Sequence, residues 1–193
     1  MKMLKKFQWL SLILLLSVLA ACAGVSQTLT NRAYHSLDFR PGIESPSIDL
    51  LAFRYGSSNH FGFRTPLTDI AQGKTSAGAA ITGDLPVGDD FYAKWRDKKT
   101  GQIYEDTVDL KSRLPYSMHN QELHPIIEDS QLFIYVISFE PVREMMSLSE
   151  VDQIRRTHKS SKERVFSFKL RNRVTQIYPT RLEDPHLPAS LKK

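Results

Sequence analysis

Leu132–Phe139 (LFIYVISF) is apolar at almost every position, and this constrains the fold more than any other feature of the chain. Eight residues is the length of a strand, and the aromatic and β-branched side chains favour a strand over a helix. Neighbouring side chains of a strand point to opposite faces of the sheet. A run that is apolar at both odd and even positions must therefore be packed against other elements on both faces. We therefore expect Leu132–Phe139 to be the central strand of a sheet.

Six further segments have the pattern of a strand. Ile48–Tyr55 also has apolar residues at both odd and even positions, which predicts a second interior strand. Phe91–Arg96 and Ile103–Leu110 flank the turn Asp97–Gln102, in which Gly101 suits a left-handed conformation, so these segments are predicted to form a hairpin. The remaining strands are predicted at His60–Arg64, Ala79–Thr82 and Val165–Leu170.

One helix is predicted in the C-terminal part of the chain. Ser147 and Glu150 have the spacing of a capping box, and the segment becomes basic towards Lys159, which complements the helix dipole. Seven short strands with turn signals between them predict a mainly β protein, an antiparallel β-sandwich with one short helix. Trp95 shares a strand face with Phe91 and is predicted to lie in the core.

The N-terminus has the layout of an export signal. Lys2, Lys5 and Lys6 precede an apolar run from Trp9 to Leu19, and two alanines then precede Cys22, the only cysteine of the chain. The apolar run is shorter than the roughly 20 residues that a membrane-spanning helix needs.

The sequence Leu19-Ala20-Ala21-Cys22 resembles the lipobox of bacterial lipoproteins. In that family, signal peptidase cuts before the cysteine, which then carries a diacylglycerol on its sulfur and an acyl chain, such as palmitate, on its amino group. The resemblance implies that residues 1–21 are a lipoprotein signal peptide and that Cys22 holds the protein on a membrane. Ala23 resembles the outer-membrane class, so we expect an outer-membrane lipoprotein that faces the periplasm.

The rest of the chain divides by composition into three parts. Residues 22–46 are polar, contain Pro41, Gly42 and Pro46, and are interpreted as the lipidated cysteine with a tether, with pairing of its last residues to the sheet left as an alternative. Residues 47–178 hold the predicted strands and form a β-rich binding domain. Residues 179–193 contain three prolines and are predicted to be a flexible tail.

The charge of the chain does not indicate a nucleic-acid partner. Residues 22–154 contain 12 Lys and Arg against 18 Asp and Glu, a net charge of −6, whereas residues 155–193 contain 11 against 3, a net charge of +8. An export signal also makes a nucleic-acid partner inconsistent with the expected location. The basic end is interpreted as a solvated face, with anionic lipid or an acidic partner as the alternative.

No motif of a catalytic or cofactor site is found. The chain has no Gly-x-Ser-x-Gly, no phosphate-binding glycine loop and no Gly-x-Gly-x-x-Gly, so we expect a protein that is not an enzyme and has no cofactor. His119, Glu122 and His124 do not have the spacing of a helical zinc site, and Pro125 follows them, so a solvated loop without metal is predicted. Asp84, Asp89 and Asp90 are too few for a calcium loop.

A family resemblance adds a functional class. The segment Leu85–Pro115 is similar to part of the lipoproteins that are encoded beside phospholipase effectors of type VI secretion, which are proposed immunity proteins. The similar pieces are Trp95-Arg96, Thr100-Gly101, Glu105–Leu110, Arg113–Pro115 and, later, Leu132–Val136. The resemblance implies a lipid-anchored binding protein that neutralises an incoming lipase in the periplasm.

The leading hypothesis is therefore an immunity lipoprotein that occludes a secreted phospholipase or lipase. We expect two loops to contact this partner, one around Asp89 and Asp90 and the other at the turn that contains Lys98, Lys99 and Thr100. The alternative is a structural or assembly lipoprotein of an envelope secretion machine. An envelope hydrolase is a third class, against which the missing motifs argue.

Overall fold

The computed structural model describes residues 31–57, 61–141, 149, 153, 156–157, 172–180 and 183. These residues form nine strands and two short helices, so the predicted mainly β architecture is confirmed. The elements are β1 (Arg32–Phe39), α1 (Pro41–Glu44), β2 (Ile48–Tyr55), β3 (Phe61–Arg64), α2 (Leu67–Ala71), β4 (Ala79–Pro86), β5 (Asp90–Asp97), β6 (Ile103–Asp109), β7 (Gln121–Glu128), β8 (Gln131–Pro141) and β9 (Asn172–Tyr178).

The strands form two sheets that face each other as a sandwich. The five-stranded sheet has the order β4-β1-β7-β8-β9, and the four-stranded sheet has the order β3-β2-β5-β6. The strand pairs are antiparallel except for β1 and β7, which pair in parallel at Ser36 with Glu122 and at Leu37 with Leu123. The antiparallel prediction thus holds for the described pairs with this one exception.

The core lies between the sheets, and both contribute alternate residues to it. Trp95 is 1% exposed, stacks on Tyr104 with ring centroids 5.8 Å apart, and donates from Nε1 to the carbonyl of Asp129 at 3.3 Å. The prediction that Trp95 packs in the core is therefore confirmed. The largest fully buried side chains of this core are those of Leu37, Phe39, Ile48, Leu50, Tyr55, Phe91, Trp95, Leu110, Met118 and Leu123.

β8 is interior and buried on both faces, as the sequence predicted. Leu132, Ile134 and Val136 face the core between the sheets, while Phe133 and Tyr135 are buried on the opposite face with Ile126. The middle place of the five-stranded sheet belongs to β7, so the prediction that β8 is central is wrong by one strand. β2 lies between β3 and β5, which confirms the second interior strand.

The β5–β6 hairpin is confirmed with its predicted turn. Trp95 pairs with Tyr104 across the hairpin, and Gly101 adopts a φ of +72°. A left-handed residue at this place lets the turn follow the twist of the two strands, and glycine adopts that conformation without steric cost.

The predicted tether enters the fold earlier than expected. Arg32–Phe39 pairs with β4 on one side and with β7 on the other, and α1 follows directly. Residues 32–46 therefore belong to the sandwich, and the predicted boundary at residue 47 is corrected. The strand was missed because Ser36 and Asp38 interrupt its apolar pattern on the face opposite the core.

β7 replaces a predicted loop. His124 and Pro125 lie within this strand, and His124 is buried, so the prediction of a solvated loop around them is wrong. A proline is tolerated here because β1 pairs with β7 only as far as Leu123, and Pro125 lies beyond this pairing. The hydroxyl of Ser45 donates to the carbonyl of Ile127 along the same stretch.

Several predicted segments lie outside the described residues. They are the signal peptide of residues 1–21, Cys22, all but isolated positions of the helix 147–159, the strand Val165–Leu170 and most of the tail 179–193. Of that tail, Glu183 is described and pairs with Arg113. In the described part of the chain, no helix combines the length and the apolar character that crossing a membrane requires.

Candidate functional site

The residues predicted to contact a partner lie at opposite ends of one strand. Asp90 begins β5 and Asp89 precedes it, whereas Lys98, Lys99 and Thr100 follow the end of β5. A strand rises about 3.3 Å per residue, so its eight residues separate the two groups by roughly 25 Å. The structure therefore places them in two separate surfaces.

The turn after β5 is held by its own hydrogen bonds. The Oδ1 atom of Asp97 accepts from the backbone N–H groups of Thr100 and Lys99, each at 2.7 Å, and these bonds lower the pKa of the Asp97 carboxyl. The backbone N–H of Gly101 donates to the Asp97 carbonyl at 2.8 Å. The side chain of Lys98 donates from Nζ to the carbonyl of Pro46 at 2.9 Å, which holds it against the protein. The side chains of Lys99 and Thr100 are thus presented to solvent on a fixed backbone.

The carboxylates at the other end of β5 bind to other residues of the protein. The Oδ2 and Oδ1 atoms of Asp89 accept from the hydroxyl and the backbone N–H of Ser57, at 2.6 and 2.7 Å, and these bonds lower the pKa of Asp89 to about 2. Asp90 pairs with Arg54 at 2.5 Å. Both carboxylates therefore hold the connection between β2 and β5, and the turn that contains Lys99 has the more available side chains.

The outer face of the four-stranded sheet leads to this turn and carries interleaved ion pairs. Arg96 pairs with Asp49 at 2.6 Å, and Lys94 pairs with Glu105 at 2.7 Å. Arg64 is exposed and makes no ion pair with the residues that the structure describes. Most charges of this face are thus balanced in pairs, as on an ordinary solvated surface.

A cluster of charged residues lies on the outer side of the five-stranded sheet, and only Glu122 and His124 of it were considered from the sequence. Its members come from β1, α1 and β7 and the residue after β1: Asp38, Arg40, Glu44, Glu122 and His124. The ligating atoms of Asp38, Glu122 and His124 lie within 4.8 Å of one another, which is a donor set that a metal ion such as Zn²⁺ accepts.

The internal pairs of this cluster favour an ion-pair network over a metal centre. Arg40 donates from Nε and from a terminal nitrogen to the two oxygens of Asp38, both at 2.6 Å. His124 Nδ1 lies 2.7 Å from Glu122, and its Nε2 lies 3.7 Å from Glu44. Burial lowers the pKa of His124, but the bond to Glu122 and the charges of Glu44, Glu122 and Asp38 outweigh it, so the pKa is raised overall. Arg40 offsets one of the three carboxylate charges, and the imidazole offsets a second when it gains a proton.

One sequence signal could have found part of this cluster. Residues two apart in a strand share a face, so Glu122 and His124 are neighbours once β7 is recognised as a strand. Nothing in the local sequence places Asp38 beside them.

Comparison with known proteins finds no matching family model, no similar curated protein and no similar solved structure. The functional argument therefore depends on the residues and surfaces of this chain.

Proposed function

We propose that this protein is a lipid-anchored, periplasm-facing binding protein that neutralises a secreted phospholipase or lipase of type VI secretion by occluding it. The proposal is supported by the lipobox-like sequence that ends at Cys22 and by the resemblance of Leu85–Pro115 to lipase-immunity lipoproteins. An anchor on the membrane concentrates the inhibitor at the surface that a phospholipase attacks, which raises its effective concentration there.

The observation that carries the proposal is the fixed turn at the end of the β5–β6 hairpin. The carboxylate of Asp97 holds the backbone of Lys99 and Thr100, and Trp95 fixes the strand behind them in the core. A loop that is already ordered loses little conformational entropy on binding, so such a turn is suited to cover the mouth of an enzyme.

The first experiment is capture of the partner. The full chain with a C-terminal tag is expressed in the periplasm of its native organism, and the bound proteins are isolated from envelope and secreted fractions. A stoichiometric lipase that loses activity in the complex supports the proposal. A large envelope assembly supports the assembly lipoprotein instead, and a bait that retains nothing at micromolar concentration contradicts a binding function.

The contact surface is tested by charge reversal. Lys99→Glu should weaken binding of the captured lipase at least tenfold, because it places a carboxylate at the tip of the turn without touching the core. Lys74→Glu is the matched control, since Lys74 is also exposed and lies on another loop. Equal affinities of the two variants would rule out this turn as the contact.

The anchor is tested separately. Cys22→Ser should remove labelling by radioactive palmitate and should release the protein from the outer membrane or leave its leader uncleaved. Fractionation and labelling that stay unchanged would contradict the lipoprotein assignment.

A further inference from the structure

Three adjacent strands change from apolar to polar side chains on their inward face at one end of the sandwich. Along β7 the inward positions pass from Leu123 to Gln121, and along β8 they pass from Val136 to Ser138. Gln121 and Ser138 are register partners, so the change occurs at the same level in both strands. Polar side chains at inward positions are costly in a packed core, which indicates a space that water or a ligand reaches.

β9 continues this change on the other side of β8. Its inward positions pass from Ile177 to Thr175 and then to Arg173, and Thr175 is the register partner of Val136. The polar positions of the three strands therefore form one continuous floor.

A cavity of about 310 Å³ lies over this floor, and we refer to it as the polar cavity. The segment between β6 and β7 closes it on the other side with Arg113, Pro115 and His119. This volume is at the lower end of the range of roughly 300 to 1,000 Å³ that small-molecule sites have.

Arg113 forms a fixed wall of the polar cavity. It donates to both carboxylate oxygens of Glu183, at 2.5 and 2.9 Å, and to the carbonyl of Ile177 at 3.2 Å. The bond to Arg113 lowers the pKa of Glu183 to about 2, so the pair stays ionised. The charge of Arg113 is thus balanced within the protein.

The two remaining charges of the cavity are not balanced in this way. Arg173 and Glu140 both line the cavity, both are exposed, and neither forms an ion pair with another residue in the described ranges. The hydroxyl of Ser138 also lines the cavity and accepts the backbone N–H of Glu140 at 3.2 Å, which leaves its own hydrogen available for donation.

We propose that the polar cavity binds a small zwitterionic molecule, one that carries an oxyanion and an ammonium group. The oxyanion lies against the guanidinium of Arg173 and the hydroxyls of Ser138 and Thr175, and the ammonium group lies against the carboxylate of Glu140. A guanidinium matches the geometry of a carboxylate or phosphate, and a carboxylate accepts from an ammonium group. A simple anion would leave Glu140 opposed to it, and a simple cation would leave Arg173 opposed. The proposal does not depend on the immunity function.

The test is isothermal titration calorimetry of the purified full chain with four probes. Phosphoethanolamine and glycine carry both charges, while inorganic phosphate and ethanolamine each carry one. We expect at least one zwitterion to bind at least tenfold more tightly than either single-charge probe. No saturable binding of either zwitterion, or equal binding of inorganic phosphate, would overturn the proposal.

Two variants locate the binding. Arg173→Gln and Glu140→Gln should each weaken binding of the tighter zwitterion at least tenfold, whereas Arg64→Gln, on the other sheet, should leave it unchanged. The urea midpoint of each variant is measured alongside, and because both side chains are exposed we expect it to stay at the wild-type value. Affinities unchanged in both cavity variants would overturn the assignment of the site.

The source of the ligand is distinguished by a further pair of probes. Glycerophosphoethanolamine represents a lipid headgroup, and glycine represents a free amino acid. Tighter binding of the first assigns the cavity to a phospholipid headgroup, and tighter binding of the second assigns it to an amino acid; either result supports a zwitterion site.

Discussion

The Nε2 atom of His35 lies 3.0 Å from the hydroxyl oxygen of Tyr55, and this contact joins β1 of one sheet to β2 of the other. His35 Nδ1 lies 2.9 Å from the carbonyl oxygen of Ala33, which can only accept, so Nδ1 carries the hydrogen. Nε2 is therefore the acceptor, and the Tyr55 hydroxyl donates to it. Both side chains are buried, so the bond has no competition from bulk water.

Tyr55→Phe should lower the free energy of unfolding by about 1 to 3 kcal/mol, because it leaves the buried Nε2 of His35 without its donor. Urea unfolding at pH 8 measures this loss. Tyr34→Phe is the control, since Tyr34 is exposed on the same strand as His35. Equal stabilities of the two variants would contradict the inter-sheet bond.

Protonation of His35 should destabilise the fold in acid. Burial lowers the pKa of His35, although the bond to Ala33 raises it in part. A histidine whose pKa is lowered by folding contributes stability above its unfolded value of about 6.5, and this contribution is lost as the pH falls through the folded pKa. The free energy of unfolding should therefore decrease less from pH 7.5 to pH 5.5 in His35→Gln than in the wild type. Parallel pH profiles would refute this role.

His124 should have the opposite effect, because the carboxylates around it raise its pKa. A raised pKa contributes stability that is complete below about pH 6.5 and is lost as the pH rises through the folded value. The difference in unfolding free energy between the wild type and His124→Gln should therefore shrink between pH 6 and pH 9. His119→Gln, which replaces an exposed histidine, is measured alongside as the control. A difference that grows with pH would show that His124 is neutral in the folded protein.

Tyr178→Phe should weaken the contact between the edge strands of the two sheets. The Tyr178 hydroxyl of β9 donates to the Oδ2 atom of Asp106 in β6 at 2.6 Å. A hydrogen bond to a charged acceptor contributes about 1.5 to 3 kcal/mol, and partial exposure of this pair places the expected loss near the lower value. Thermal unfolding measures it, with Tyr116→Phe on the exposed loop as control. A loss no larger than that of the control would show that the bond does not stabilise the fold.

Trp95→Ala should lower the free energy of unfolding by about 3 to 5 kcal/mol, because it opens a cavity in the core and removes the stacking on Tyr104. Trp95→Phe should lower the free energy of unfolding by less, since a ring still fills most of the space. Comparing the two variants separates the loss of packing from the loss of the hydrogen bond to Asp129. Guanidinium unfolding of both variants provides the measurement. If both variants lose the same free energy, the hydrogen bond to Asp129 is the larger contribution.

Much of the sandwich was predictable because its strands carry the pattern in their own residues. β2 and β8 have apolar residues at both odd and even positions. The β5–β6 hairpin has alternating apolar and polar residues on both sides of a turn with glycine at the left-handed position. These signals are local, since a strand buried on one or both faces must show it in consecutive residues.

β1 and β7 were missed because contacts that are distant in the sequence determine their environment. Asp38 and His124 face away from the core, where polar residues suggest a loop, and Pro125 removes a backbone donor that an interior strand usually needs. The fold accommodates the proline because β1 ends its pairing with β7 at Leu123. No local pattern contains that information.

The sequence by itself determined the mainly β class, the interior strands and the hairpin, because periodicity and turn chemistry are properties of neighbouring residues. Only the tertiary structure decided that Lys99 lies far from Asp89, that Asp38 meets His124, and that Arg173 and Glu140 line one cavity. These relationships depend on strand order and register, which follow from the packing of the whole sandwich.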